Sequence, residues 1–335
     1  MKYKAIGRSG LISSNLSLGT MIFGEDSDRS TPEADAIKMI DQYLAQGGNH
    51  IDTADGYAKG RSEEIVGKAV KGKRENLIIA TKVRFPTSDD VNDVGLSRYH
   101  IIQGVEQSLN RLNTDRIDLL YVHCWDPITP LDETVRALDD LVRSGKVRYL
   151  GLSNFKAWQS MKAQALCDQL GAGRFIAGQY QYSLVKRDIE HEFFDLFESE
   201  GLGLMPWGPL GGGFLTGKYE RSGPTSGRIA TTHEGTEESW ARRNTEKNWK
   251  ILDAVKEVAA KHNASPVQIA LAWVLSKQVV SSLVIGARTM TQLEDNLKAN
   301  EVTLDKVDLA TLNELSTSDE LYPYRFISSY GKRKF

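Results

Sequence analysis

Asp52, Tyr57, Lys82 and His123 are side chains that together could move a proton. A phenol is a poor acid near neutrality, with a pKa of about 10. An ammonium beside it stabilises the phenolate and lowers that value. A carboxylate can hold the ammonium charged and in place, and an imidazole can hydrogen-bond a carbonyl oxygen. Such a set would hand a proton to an oxygen that turns negative as hydride reaches its carbon. Singly, none of them says this. A strand-end Asp is as often a helix cap, a loop Tyr usually packs, a terminal Lys is usually solvated, and a lone His is more often structural. Their positions argue for them as a group. Asp52 ends one apolar run and Tyr57 follows just beyond it, Lys82 ends the next run, and His123 ends the one after.

Those runs belong to an alternation. Short stretches rich in Val, Ile and Leu read as strands at 16–20, 49–54, 77–82, 117–123, 147–154, 175–180, 202–207 and 282–287. Longer amphipathic stretches between them read as helices, among them 32–46, 98–112, 132–144, 157–169, 248–262 and 291–298. Near-continuous apolar strands separated by helices imply parallel pairing with both faces covered. Eight such units predict an α/β fold, a (β/α)8 TIM barrel, ahead of an open doubly wound sheet. In a barrel the loops at the C-terminal strand ends form the open mouth, so all four residues would face one site. The start, YKAIGRSGLIS, reads as a hairpin plugging the bottom. The polar stretch 220–247 follows the seventh strand and is too long for a plain connection, so a functional loop is expected there.

The 335 residues are 40% hydrophobic and 26% charged, the balance of a globular chain with a large core. One domain over 1–335 is expected, since barrels often run this long. A net charge of −2 without a basic stripe speaks against a nucleic-acid partner. No stretch approaches the roughly 18 apolar residues of a membrane span, and the N-terminus lacks the apolar core of a signal peptide. The two cysteines, Cys124 and Cys167, have no CxxC or Cys/His ligand spacing, which suits free thiols in a reducing cytoplasm. Cys124 and His123 are adjacent on a strand and point to opposite faces, so no metal site is expected.

No G-x-G-x-x-G fingerprint is present. GGFLTGKY (212–219) has P-loop spacing, but Tyr219 replaces the Ser or Thr that would hold Mg²⁺, so a nucleoside triphosphatase is rejected. A glycine-rich backbone after a strand can still cradle a pyrophosphate. Arg288, followed by a helix start near Thr291, suits a phosphate.

The strings NHIDTADGY, ATKV, DLLYVHCWDP, GLSNF, PWGPLGGGFLTGKY and VIGARTMTQLEDN, in this order, resemble the signature blocks of the aldo-keto reductase superfamily. The likeness is nearest to the bacterial branch related to potassium-channel β subunits. It covers about residues 5 to 300 and implies that Asp52, Tyr57, Lys82 and His123 are the catalytic tetrad. It implies an NADPH/NADP+ cofactor, with Gly208, Pro209, Leu210, Gly211 and Gly212 around the pyrophosphate, Lys218 nearby and Arg228 beyond. Trp207 would stack on the nicotinamide, Ser153, Asn154 and Gln179 would bind its carboxamide, and Gly19, Thr20 and Met21 would lie beneath the ribose near Asp52. Gly286, Arg288, Gln292, Asp295 and Asn296 would hold the 2′-phosphate and adenine. Three positions depart from the pattern: Ser183 stands where many relatives have Asn, Gly208 where many have Ser, and Asp295 where Glu is frequent. Phe23, Phe85 and Trp125 are expected to line the mouth, suggesting an apolar or ring-shaped carbonyl substrate. The expected activity is NADPH-dependent reduction of an aldehyde or ketone to an alcohol, with Tyr57 as general acid. The alternative is a nicotinamide-binding regulatory subunit. Either is compatible with a homo-oligomer. A metal-dependent barrel hydrolase lacks the carboxylate or histidine cluster it would need.

Overall fold

The computed structural model describes residues 1–27, 29–224 and 227–331. Two short strands, β1 (Tyr3–Ala5) and β2 (Ile12–Ser14), pair antiparallel as the expected hairpin. Eight further strands follow: β3 (Leu16–Gly19), β4 (His50–Asp52), β5 (Ile78–Val83), β6 (Ile117–Val122), β7 (Val147–Ser153), β8 (Phe175–Gln181), β9 (Gly203–Trp207) and β10 (Leu283–Ile285). Each lies within two residues of a run read from the sequence. They pair in parallel in the order β10-β3-β4-β5-β6-β7-β8-β9. The two outer strands meet as well. Leu204 N–H donates to Val279 O and Ser281 N–H donates to Leu204 O, both at 2.9 Å. This closure decides for the (β/α)8 barrel over an open sheet, whose edges would leave a ladder unpaired.

The helices return the chain between strands: α1 (Glu33–Ala45), α2 (Arg61–Ala69), α3 (Arg98–Leu112), α4 (Leu131–Arg143), α5 (Ala157–Leu170) and α6 (Phe193–Glu200). After β9 come a short α7 (Trp240–Arg243), α8 (Glu246–Lys261) and α9 (Pro266–Leu275); after β10 come α10 (Met290–Leu297), α11 (Lys306–Ser316) and α12 (Tyr324–Tyr330). Their starts follow local chemistry. Ser97, Thr245, Ser265 and Thr289 accept from a backbone N–H of the first turn, and Pro266 opens α9. Among the described residues no helix is long and apolar enough to cross a membrane.

The large core lies between strands and helices, as both-faces-buried strands require. A second, smaller cluster fills the barrel itself: Ile6, Ala80, Leu119, Tyr121, Ala177 and Met205. Ile6 comes from the hairpin, so the hairpin does plug the bottom. Gly7, at φ +56°, lets it seat against the foot of β9. A Cβ there would come 2.2 Å from Gly201 O. With the bottom sealed, the polar side chains higher in the barrel face only the mouth.

Candidate active site

Period-two alternation aims the inward residues of adjacent strands at one another. Asp52 ends β4 and Lys82 sits on β5, and their side chains meet in the barrel with Nζ to Oδ1 at 2.5 Å. Lys82 is fully buried. An ammonium has three donors. Lys82 places the other two on Thr53 O at 2.8 Å and on the Tyr57 hydroxyl at 3.2 Å. Tyr57 therefore stands where its phenol touches a fixed cation. His123, one residue beyond β6, lies edge-on to Tyr57 with ring centroids 6.0 Å apart. The four residues come together as expected.

Electrostatics refine the expectation. Burial works against the Lys82 charge, but Asp52 and then Tyr57 outweigh it and hold its pKa above the usual lysine value. The Tyr57 pKa is not lowered. Burial of the phenol outweighs the pull of Lys82 and leaves it above the ordinary tyrosine value. The cation alone would lower the pKa, and desolvation reverses the sign. Burial first, then Lys82 and Arg84, push His123 down to about 3, so its imidazole is neutral. Its buried Nδ1 has no hydrogen-bond partner among the described residues.

A second chain of hydrogen bonds leads into this group. Asn154 Nδ2 donates to Ser153 Oγ and to His123 O, both at 2.9 Å. Ser153 Oγ donates to Gln179 O at 2.8 Å, and Gln179 Nε2 donates to Asp52 Oδ2 at 2.7 Å. Both Asp52 oxygens are thus occupied, one by the cation and one by the amide. Asn154 adopts φ +53° just past β7, which an Asn tolerates better than most side chains. Tyr121, buried one layer below beside Asp52, was missed by sequence reasoning. Its signal was its place two residues before His123 on the same strand face.

Beyond β9 the chain makes a glycine turn with positive φ at Gly208, Gly211, Gly212 and Gly213. A Cβ at Gly211 would come 2.6 Å from Val185, so the backbone here is bare by necessity. Trp207, half-buried, precedes the turn. Pro209 and Leu210 lie within it. Lys218 Nζ sits 3.3 Å from the Gly213 Cβ position, and Arg228 pairs with Glu238 at 2.5 Å. Burial, then the neighbouring Arg288 charge, lower the Lys218 pKa. Among the described residues, Gln181 Nε2, Glu238 Oε1 and Arg243 Nε, buried around the turn, have no hydrogen-bond partner. A cation-rimmed bare backbone with unspent donors and an acceptor fits a dinucleotide's phosphates and ribose. Glu238 and Arg243 carried no sequence signal, since the polar stretch 220–247 gave no register. That stretch folds back on the turn: Glu238 Oε1 lies 3.1 Å from the Gly208 Cβ position and Arg243 Nε 3.5 Å from that of Gly211.

A model of the aldo/keto reductase family matches residues 15–317. The chain is 40% identical to the uncharacterized oxidoreductase YrpG of Bacillus subtilis (strain 168), over 94% of this chain and 96% of that one. It is 36% identical to a probable voltage-gated potassium channel subunit beta of Arabidopsis thaliana, over 92% and 96%. It is 33% identical to the versiconal hemiacetal acetate reductase of Aspergillus parasiticus, over 96% and 99%. The chain belongs to the aldo/keto reductase family. It is an oxidoreductase of a family that acts on small carbonyl substrates and generally uses nicotinamide cofactors.

Other expected residues of this aldo/keto reductase take varied positions. Gly19 closes β3 with Val284 Cγ1 2.8 Å from its Cβ position, and Met21 is partly exposed. Thr20 is fully buried and turned into the wall, its hydroxyl on Asp52 O and Ser62. After β10, Gly286 is open, its carbonyl accepting from Asn296 Nδ2 at 3.1 Å, and Gln292 Oε1 accepts from Arg288 N–H at 2.9 Å. Asp295 accepts from Ser265 Oγ and Gln268 Nε2 at the α9 start. Its shorter side chain serves as a brace. Phe85, 38% exposed, packs edge-on to His123 at 4.9 Å, and Trp125, partly exposed, meets Phe155 edge-on at 5.2 Å and Trp158 at a tilt at 6.1 Å. Phe23 corrects the expectation: it is 0% exposed and part of the main core, so it cannot line the mouth. Both cysteines are free. Among the described residues no group of three or more His, Cys, Asp or Glu could hold a metal.

Proposed function

We propose that this chain is an NADPH-dependent carbonyl reductase with Tyr57 as its general acid. The observation that carries the reading is the fully satisfied Lys82 ammonium, which joins Asp52 to the Tyr57 hydroxyl beside a neutral His123. On this reading 1–335 is one catalytic domain. A nicotinamide cofactor bound across the mouth supplies the hydride. Trp207 provides its stacking face, and Ser153, Asn154 and Gln179 its carboxamide contacts. The glycine turn 208–212 with Lys218 and Arg228 would hold the pyrophosphate, and the β3 end at Gly19, Thr20 and Met21 would hold the ribose through its backbone and Met21, since the Thr20 side chain is turned into the wall. Arg288, with Gln292 and Asn296, takes the 2′-phosphate and adenine, and this favours NADPH over NADH.

His123 donates its one N–H to the substrate carbonyl oxygen and polarises it. As that oxygen becomes negative, the Tyr57 O–H bond breaks and its proton forms the product hydroxyl. The phenolate left behind is held by Lys82, whose charge Asp52 maintains, until solvent returns a proton. Phe85 and Trp125 give the mouth an aromatic wall suited to apolar or ring-shaped carbonyl compounds.

The test is a panel of sugars, methylglyoxal, pyridoxal, keto-steroids and keto-toxins, read by loss of reduced-nicotinamide absorbance with NADPH and with NADH. Turnover of at least one carbonyl, faster with NADPH, is expected. The Arabidopsis relative favours a second reading, a nicotinamide-binding regulatory subunit. Tight NADPH binding and co-purification with a membrane channel, without turnover of any carbonyl, would select it.

A further inference from the structure

Tyr57 is followed by an unusual backbone. Ala58 and Lys59 hold φ +49° and +55°, and Gly60 follows at +88°. Two successive side-chain-bearing residues in the left-handed region carry a steric cost from their Cβ atoms and persist only where surroundings over-determine them. Tyr57 N–H and Lys59 N–H make long bonds here, 3.2 Å and 3.3 Å, and Arg61 N–H closes the turn on Ala58 O and Tyr57 O. Backbone bonds alone do not offset two left-handed side-chain-bearing residues, and tertiary contacts add the support.

That support is a buried pair behind the tetrad. Glu63, on the first turn of α2, has no exposed surface. Its Oε1 accepts from the Thr81 hydroxyl at 2.5 Å, and its Oε2 from Arg111 Nε on α3 at 2.7 Å. Thr81 immediately precedes Lys82 on β5 and points to the outer face. Arg111 in turn lies under the turn: its Cδ is 2.6 Å from where a Gly60 Cβ would stand, so only glycine fits over it. One carboxylate therefore grips the strand that carries Lys82 and the arginine that props the turn after Tyr57.

We propose that Glu63 and Arg111 are positioning residues that hold the Tyr57 hydroxyl on the Lys82 ammonium. The pair touches neither substrate nor cofactor. It fixes the left-handed turn 58–60 against α3 and the Lys82 strand against α2, and so sets the distance between donor and cation. The inference rests on the catalytic role proposed for Tyr57.

The test compares Glu63→Gln, Arg111→Met, Arg111→Lys and Thr81→Val with the parent and with Tyr57→Phe. It measures kcat and KM on the best carbonyl substrate at saturating NADPH, and the primary isotope effect with deuterated NADPH. NADPH affinity by tryptophan fluorescence and amide exchange at residues 57–61 complete the set. A misplacement of about 1 Å costs on the order of 10²-fold, so Glu63→Gln and Arg111→Met should lose roughly 10- to 100-fold in kcat. NADPH affinity should stay at the parental value, the isotope effect should rise, and exchange at 57–61 should quicken well below the melting temperature. Arg111→Lys should recover part of the rate. If Glu63→Gln does not fold, Thr81→Val removes only one bond to Glu63 and should show the same pattern in smaller degree. Variants that melt earlier but keep parental kcat and isotope effect would overturn the proposal, as would a rate loss with unchanged exchange in the turn. A fully active Tyr57→Phe would instead defeat the reading of Tyr57. An inactive Tyr57→Phe beside fully active Glu63→Gln and Arg111→Met would defeat the positioning role alone.

Discussion

Replacing Tyr57 by Phe removes one hydroxyl and almost no volume. Among the described residues its one hydrogen bond, from Lys82 Nζ at 3.2 Å, is long, and Lys82 keeps Asp52 at 2.5 Å and Thr53 O at 2.8 Å. The net worth of an intramolecular hydrogen bond is about 0.5–1.5 kcal/mol. The freed donor belongs to the fully buried Lys82 but loses only a long bond, so the stability loss should sit near the low end of about 1–3 kcal/mol, the cost of leaving a buried donor unsatisfied. The kinetic loss should be far larger. General acid catalysis contributes typically 10²- to 10⁴-fold, or about 2.7–5.4 kcal/mol at roughly 1.36 kcal/mol per decade. The two effects separate cleanly. Single-turnover reduction followed by nicotinamide absorbance should slow by at least about 10²-fold. NADPH binding, read by tryptophan fluorescence, should hold, because no residue of the glycine turn or of the β10 end touches the lost hydroxyl. A folded Tyr57→Phe protein that binds NADPH and reduces its best substrate within a few-fold of the parent would refute the assignment.

Arg288→Ala should weaken NADPH much more than NADH, by about 1.5–3 kcal/mol, the range for hydrogen bonds to charged groups; equal losses in the two titrations would remove the 2′-phosphate from Arg288. Lys82→Met leaves the 3% exposed Asp52 carboxylate without its cation. Chemical denaturation should show a loss of about 3–5 kcal/mol, the cost of breaking a buried pair, and an unchanged midpoint would contradict the pairing. His123 is held at about 3, so kcat/KM for reduction should show no histidine limb between about pH 5 and 8, and a limb lost in His123→Asn would show the imidazole titrating after all. Burial, then Glu63, hold Asp55 up to about 8, so between about pH 4, where the unfolded residue ionises, and about 8 the folded state keeps the extra proton and stability falls as pH rises. Asp55→Asn should flatten that fall in melting-temperature profiles, and an identical profile would disprove it.

The strands were legible because they are buried on both faces and read as near-continuous apolar runs, and the tetrad because strand ends share one mouth. Arg98–Leu112 has the bounds read from the sequence, with Ser97 as a visible cap. What was not legible depends on distance through space. Phe23 looked like a mouth aromatic because it follows β3, yet the chain bends there, Phe23 N–H donating to Thr20 O and Gly24 N–H to Thr31 O, and the ring is carried into the core. Asp295 carries the family's acidic pattern in shorter form, and only packing shows that α9 takes its oxygens. Glu238 and Arg243 lie in a polar stretch with no period, so nothing ahead of the fold could bring them to the glycine turn. Glu63 and Arg111 were unread for another reason. They lie on helices, where an acid near the start and a base near the end are ordinary surface choices. Their burial and mutual contact are tertiary facts.

The Tyr57 pKa shows why a charge inventory is an insufficient account of an active site. The cation and the phenol were both visible in the sequence, and the inference that one lowers the pKa of the other is sound for a solvated pair. Inside the barrel, desolvation of the phenolate is the larger effect and has the opposite sign. The consequence favours an acid. A phenol held above its ordinary value keeps its proton more firmly, so on the proposed reading the group carries the proton that reduction requires. Lys82 then acts mainly when charge appears. It meets the developing phenolate with a positive charge already fixed by Asp52 and Thr53, so little has to reorganise as the proton leaves. The same desolvation that raises the pKa strengthens that attraction. Burial and cation oppose each other in the ground state, yet both serve the step in which the proton is given up.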